Sequence, residues 1–158
     1  MSEPTPDLNE IQNFRAISDL LGTAGQPYPN QLALIKAAGY QAVINLALPE
    51  SPDAFFEEPE MWSDLGVEYI NIPVVWESPQ RSDLDRFIAE MDRLQGEKVF
   101  VHCARNMRVS AFVFLYRVLR QGVPADEALP DLLAIWQPNE TWQRLIDAAL
   151  EPPAPTDK

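Results

Sequence analysis

The sequence predicts an α/β fold: a mainly parallel central sheet of about four to five strands flanked by helices. Three observations carry this expectation. Short apolar, β-branched runs at Gln41–Leu46, Val67–Ile72 and Val99–His102 alternate with longer stretches of helical spacing. Glycines 39, 66, 96 and 122 each stand where a helical stretch ends. Alternation of strand and helix builds parallel sheets covered on both faces. The 158 residues are enough for one domain, 1–158, with a real core.

The elements follow in order. Residues 1–8 and 152–158 are polar or Pro-rich and read as flexible tails. Ile11–Ser18 is a short strand or its approach. Leu20–Pro27 is a second short strand ending in a turn. Pro29-Asn30-Gln31 opens a helix through Ala38. Gln41–Leu46 is a buried strand. Ser51–Leu65 is loop and then helix, and Val67–Ile72 is a strand closed by Pro73. Ser82 is expected to cap a helix to Gln95, with Asp85 completing a capping-box variant. Val99–His102 is the central strand, and a helix from about Arg108 to Gln121 follows. Helices over Ala125–Ile135 and Asn139–Leu150 complete the chain, with Pro130 kinking the first.

Composition excludes several classes of partner. The formal net charge is −12, which disfavours nucleic acid and anionic membrane surfaces. Any affinity for anions must be local. Arg81, Arg86, Arg93, Lys98, Arg105, Arg108, Arg117 and Arg120 bracket one loop, so the local field there can be positive. A single cysteine forbids an internal disulfide. No basic-then-apolar leader and no apolar run near a membrane span is visible, so a cytoplasmic location is expected.

Chemistry concentrates at one point. The only cysteine, Cys103, follows the only histidine, His102, at the carboxyl end of the Val99–His102 strand. Arg105 and Arg108 come within five residues, and a long apolar helix begins there. Ligands in parallel sheets bind beyond the carboxyl ends of strands. Unpaired backbone N–H groups and the helix dipole at such a loop attract anions and favour a thiolate over a thiol. A thiolate beside a bound oxyanion is the equipment for thiol-based phosphate chemistry. The bland alternative is a buried, inert cysteine acting as a small hydrophobe. The joint placement of His, Cys and Arg in a strand-loop-helix context argues against it.

The chain resembles the Cys-dependent phosphatases of the protein tyrosine and dual-specificity class, and within it the small bacterial DUF442-like subgroup. Three segments between about Phe14 and Gln121 carry the resemblance: Thr23-Ala24-Gly25-Gln26-Pro27, Tyr69-Ile70-Asn71-Ile72-Pro73-Val74, and Val101-His102-Cys103 with Arg108 and Ser110. It implies a protein tyrosine phosphatase-like fold and hydrolysis of phosphomonoesters through a cysteinyl-phosphate. Cys103 would be the nucleophile, and Arg108 would clamp two phosphate oxygens. Ser110 would donate to the departing thiolate in the second step. His102 would orient the loop. His102, Ala104, Arg105, Asn106, Met107, Val109 and Ser110, with Trp76 as a wall, make up the expected substrate-binding set. The implied substrate is a phosphorylated protein or small phosphomonoester; phosphate, sulfate or vanadate would occupy the loop, with no metal and no cofactor.

Two departures from the family pattern matter. The usual spacing is Cys, five residues, Arg; here four residues intervene, and Val109 stands at the usual Arg position. Asn106 replaces the central loop glycine, a substitution that left-handed backbone tolerates better than most. The loop is then either one residue tighter, or keeps its length with Arg108 reaching in early. The short spacing also suits a rhodanese-like sulfurtransferase carrying persulfide on Cys103. A third reading is a phosphate-binding pseudophosphatase. The family's general acid follows the Ile-Pro segment, where Trp76 cannot donate a proton. Glu77 is next and is the candidate acid, with Asp83 and Asp85 as alternatives. Trp136 and Trp142 read as core.

Overall fold

The computed structural model describes residues 8–51 and 53–151. The expected tails fall outside these, except for Leu8. That residue is buried in a hydrophobic cluster with Ile11 and Tyr40, so it does not belong to the expected tail.

Five strands, β1 (Arg15–Ser18), β2 (Leu21–Ala24), β3 (Ala42–Asn45), β4 (Glu68–Asn71) and β5 (Val99–His102), form one sheet in the order β1-β2-β5-β3-β4. β5 is the middle strand. It pairs in parallel with β2 and β3, and β3 pairs in parallel with β4. β1 alone runs antiparallel, on β2. Ile11 lies in a turn before β1 rather than in the strand, and is buried there.

The helices are α1 (Leu32–Ala37), α2 (Glu58–Asp64), α3 (Arg81–Arg93), α4 (Met107–Leu119), α5 (Ala125–Leu133) and α6 (Glu140–Leu150), with a 3-10 turn at Pro29–Gln31 leading into α1. They divide between the two faces of the sheet, and the side-chain alternation of the strands shows how. Val99 and Val101 of β5, with Cys103 just beyond its end, join Ala42 and Ile44 of β3 in a core with α3, α4, α5 and α6. Phe100 and Val43 face the other way, into a core with Leu32 and Ile35 of α1 and Trp62 of α2. α4 is apolar all round and buried from Arg108 to Tyr116, as befits a helix covered by sheet on one side and by α5 and α6 on the other.

Two helix starts differ from expectation. α3 begins at Arg81 with Gln80 as its N-cap, because the Asp83 carboxylate reaches back to the Gln80 backbone N–H at 3.1 Å. Ser82 is therefore inside the helix. α4 begins at Met107, one residue early. Pro130 sits inside α5, and the helix continues through it to Leu133. No helix among the described residues is long and apolar enough to cross a membrane.

Candidate active site

The loop after β5 is held from below before it presents anything to solvent. Asn106 takes the left-handed conformation at φ 68°, filling the role of the glycine it replaces. Its side chain points away from the loop mouth, donating to the Asn13 carbonyl at 2.8 Å and to Thr23 Oγ1 at 3.2 Å. Asn13 in turn donates to the Arg105 carbonyl at 2.9 Å. The Gln26 backbone N–H donates to the Ala104 carbonyl at 3.0 Å. Gly25 lies so close under the loop that a Cβ there would stand 2.7 Å from the Ala104 oxygen and 2.5 Å from Gln12 Cγ. The Thr23–Pro27 segment is thus the floor of the Cys loop.

Above that floor is a cavity of about 260 Å³ lined by Trp76, Cys103, Ala104, Arg105, Met107 and Arg108. Cys103 is nearly buried at 1% exposure and is a free thiol. The backbone N–H groups of Ala104 and Arg105 donate to no protein acceptor among the described residues. The first N–H groups of α4 have no intrahelical acceptor either. Arg108, in the first turn of α4, is 7% exposed. One of its nitrogens, Nη1, donates to the Val74 carbonyl at 2.8 Å. Among the described residues its other N–H groups have no protein acceptor, which leaves that edge of the planar fork for an oxyanion. Val74 is itself fixed by its N–H to the Leu46 carbonyl at 3.0 Å. The Ile72-Pro73-Val74 segment therefore aims the arginine.

Trp76 forms one wall and is packed from behind. Its ring lies 5.2 Å from that of Trp136 and 5.8 Å from that of Trp142. The Trp142 indole N–H donates to the Trp76 carbonyl at 2.9 Å. Trp142 is fully buried and Trp136 partly so.

Strand alternation sends His102 to the opposite face from Cys103, and there it meets a residue the sequence did not disclose. Glu58, in the first turn of α2, accepts from His102 Nε2 at 2.6 Å and from the Trp62 indole at 2.9 Å through Oε2, and from Gln26 Nε2 at 3.1 Å through Oε1. The His102 and Glu58 side chains are 0% and 3% exposed. Burial alone would raise the Glu58 carboxyl, but the facing charge of His102 and the three hydrogen bonds outweigh it and hold it below the usual carboxylate value. The Glu58 charge and burial together push the nearby Tyr69 phenol up to about 12, burial being the larger cause. The only trace of this network in the sequence was the period-two pattern of Val99–His102. It places His102 on the α2 face, but does not say which acid meets it.

The expected substrate-binding set divides in two. Trp76, Ala104, Arg105 and Met107 line the cavity. Four side chains do not. His102 is bound to Glu58, Asn106 is turned to Asn13 and Thr23, and Val109 is in the core. Ser110 is occupied on the other side of α4: its hydroxyl donates to the Met107 carbonyl at 2.8 Å and accepts from the Trp136 indole at 3.1 Å, with no bond to Cys103. Side chains at the helix start alternate around its axis, and only Met107 and Arg108 fall on the cavity side. Glu77 is exposed in the turn after Trp76 and does not line the cavity; among the described residues no carboxylate does. Asp83 is used at the start of α3, and Asp85 pairs with Arg81 at 3.1 Å. The expected cluster of positive charge is also narrower than the sequence suggested. Arg81, Arg93, Arg117 and Arg120 each hold a carboxylate, Lys98 donates to the Ala38 carbonyl, and Arg86 lies outside the cavity; of the eight, Arg105 and Arg108 line it.

Two solved structures of a DUF442 protein from Shewanella putrefaciens CN-32, named as a phosphatase, are 33% and 34% identical to this chain. They cover 90% and 95% of it and 93% and 96% of their own lengths, at TM-scores of 0.81 and 0.80. The chain belongs to the DUF442 family. More distant structures share the fold. Tk-PTP in its active form is 17% identical over 87% of this chain and 95% of its own, at a TM-score of 0.73. PTPMT1 is 17% identical over 86% and 92%, at 0.71. No protein-family model matches the chain, and no curated protein matches it by sequence. The chain thus has the protein tyrosine phosphatase-like fold that the resemblance implied.

Proposed function

We propose that this DUF442 protein is a phosphomonoester hydrolase working through a cysteinyl-phosphate on Cys103. One observation carries the reading. Cys103 and the free edge of the Arg108 guanidinium share one cavity with the loop residues Ala104 and Arg105, whose backbone N–H groups have no protein partner among the described residues. A phosphate seated there meets the sulfur below and charge-assisted donors around its oxygens. In the first step the Cys103 thiolate attacks phosphorus, the S–P bond forms, and the P–O bond to the leaving group breaks. In the second, water attacks phosphorus, the S–P bond breaks, and phosphate leaves as the thiolate is restored. Among the described residues no carboxylate lines the cavity, so in this reading the leaving oxygen takes its proton from solvent, and aryl phosphates are the better substrates. The short Cys-to-Arg spacing is competent in this reading because α4 starts at Met107 and brings Arg108 into its first turn.

The test is hydrolysis of p-nitrophenyl phosphate by wild type beside Cys103→Ser, from pH ~5 to 8. Turnover abolished in the variant is expected. Equal activity in both would reveal a contaminant. No activity in either, with thiosulfate-to-cyanide transfer present, would assign the sulfurtransferase; vanadate binding without turnover would assign the pseudophosphatase.

A further inference from the structure

We propose that Arg105 forms a second anion-binding point, and that the substrate carries a carboxylate or second phosphate beside the phosphate held over Cys103. This rests on the phosphatase reading above and names its substrate class.

Four observations lead to it. First, the Arg105 side chain is exposed and lines the same cavity as Cys103 and Arg108, yet among the described residues it makes no hydrogen bond and no ion pair. Arg15, Arg81, Arg93, Arg117 and Arg120 all have carboxylate partners. Arg86 and Arg144 are also without one among the described residues, but they lie on helix surfaces away from the cavity, whereas Arg105 lines it.

Second, its position is fixed. The Arg105 carbonyl accepts from Asn13 Nδ2 at 2.9 Å, and Arg105 forms an antiparallel bridge with Gly25. The next residue, Asn106, is buried and anchored by two bonds. Only the side chain beyond Cβ is free to move, so little backbone entropy is lost when it takes a ligand.

Third, the cavity, at about 260 Å³, is far larger than one phosphate group needs. Fourth, its remaining walls, Trp76, Ala104 and Met107, are apolar and lack any acid that would compete for the guanidinium. A flat apolar spacer against Trp76, with one anion at Cys103 and another at Arg105, uses the whole space.

Three probes test this: phenyl phosphate, meta-carboxyphenyl phosphate and meta-phenylene bisphosphate. Each is assayed with wild type, Arg105→Ala and Arg105→Glu. The readout is the preference, in kcat/KM, for each dianionic-spacer probe over phenyl phosphate. Leaving-group differences are common to all three enzymes and cancel when preferences are compared between them. The wild-type preference should exceed that of Arg105→Ala by about fivefold, the scale of a half-exposed ion pair. Arg105→Glu should fall below Arg105→Ala, and added salt should shrink the difference. A larger effect with the bisphosphate assigns phosphate as the second group; a larger effect with the carboxylate assigns carboxylate. Equal preferences in all three enzymes overturn the inference while leaving Cys103-dependent hydrolysis intact. If wild type hydrolyses none of the probes, the phosphatase reading falls. Calorimetric titration of the same probes then decides the inference by itself, with equal affinities in wild type and Arg105→Ala overturning it.

Discussion

Replacing Glu58 separates hydrogen bonding from charge beneath the Cys loop. The carboxylate accepts three bonds, from His102, Trp62 and Gln26, at a site 3% exposed. In Glu58→Ala all three donors lose their acceptor in a buried place. At about 1–3 kcal/mol per stranded group, with partial relief by entering water, the loss should be about 3–5 kcal/mol. Glu58→Gln should cost much less, about 1–2 kcal/mol. Its carbonyl can face His102 and Trp62, and its amide can face Gln26, whose own Oε1 is buried without a partner and is available if the Gln26 amide turns over. What Glu58→Gln removes is the charge. The folded carboxyl titrates below its ordinary value, so the charge stabilises the fold above about pH 4.3, the unfolded value. That contribution fades as pH falls through the folded value. Urea unfolding at pH 7 and in steps toward pH 3 is the assay. The gap between wild type and Glu58→Gln should narrow on acidification, while the gap to Glu58→Ala should narrow only in part. A Glu58→Ala protein as stable as wild type at pH 7, or a Glu58→Gln gap that widens in acid, would refute the reasoning.

Other substitutions probe the cavity directly. Arg108→Lys keeps a positive charge but loses the fork that holds Val74 and an oxyanion together, and should lower kcat/KM for p-nitrophenyl phosphate by about 10²–10³-fold in steady-state assays. Gly25→Ala drives a Cβ into the Ala104 carbonyl, so the loop must lift; kcat should drop about tenfold or more, with a fall in melting temperature measured alongside. Glu77→Gln should change kcat for p-nitrophenyl phosphate by less than about twofold, since the side chain lies outside the cavity; a fall above tenfold in the same assay would show that the turn carries it in.

The sheet and the reactive loop were legible because their signals are local. β-branched runs, terminal glycines and a lone His-Cys pair before an apolar helix each fix an element by its own chemistry. Reading the Asn106 backbone as left-handed needed only the knowledge that asparagine tolerates it, and the structure has it at φ 68°. The rest depends on contacts distant in sequence. Val109 and Ser110 looked like loop members because they stand near Cys103, but α4 starts at Met107 and its rotation turns both away. Glu58 is one of 24 acids, and nothing nearby marks it as the one that meets His102 some 44 positions later. Glu77 was chosen by counting from Pro73, and the turn at Trp76 leaves it facing water.

The placement of the tryptophans has an optical consequence. The chain contains four, and none is remote from the loop. Trp76 lines the cavity, Trp136 and Trp142 pack edge to face behind it with ring centroids 6.2 Å apart, and Trp62 is bonded to the carboxylate that holds His102. Three of the four indoles therefore sit together at the cavity, and their ultraviolet emission originates around one site. A molecule settling against Trp76 alters the environment of an indole in energy-transfer range of two others. The unlabelled protein is its own sensor of occupancy, with Trp62 reporting separately from the far side of the sheet.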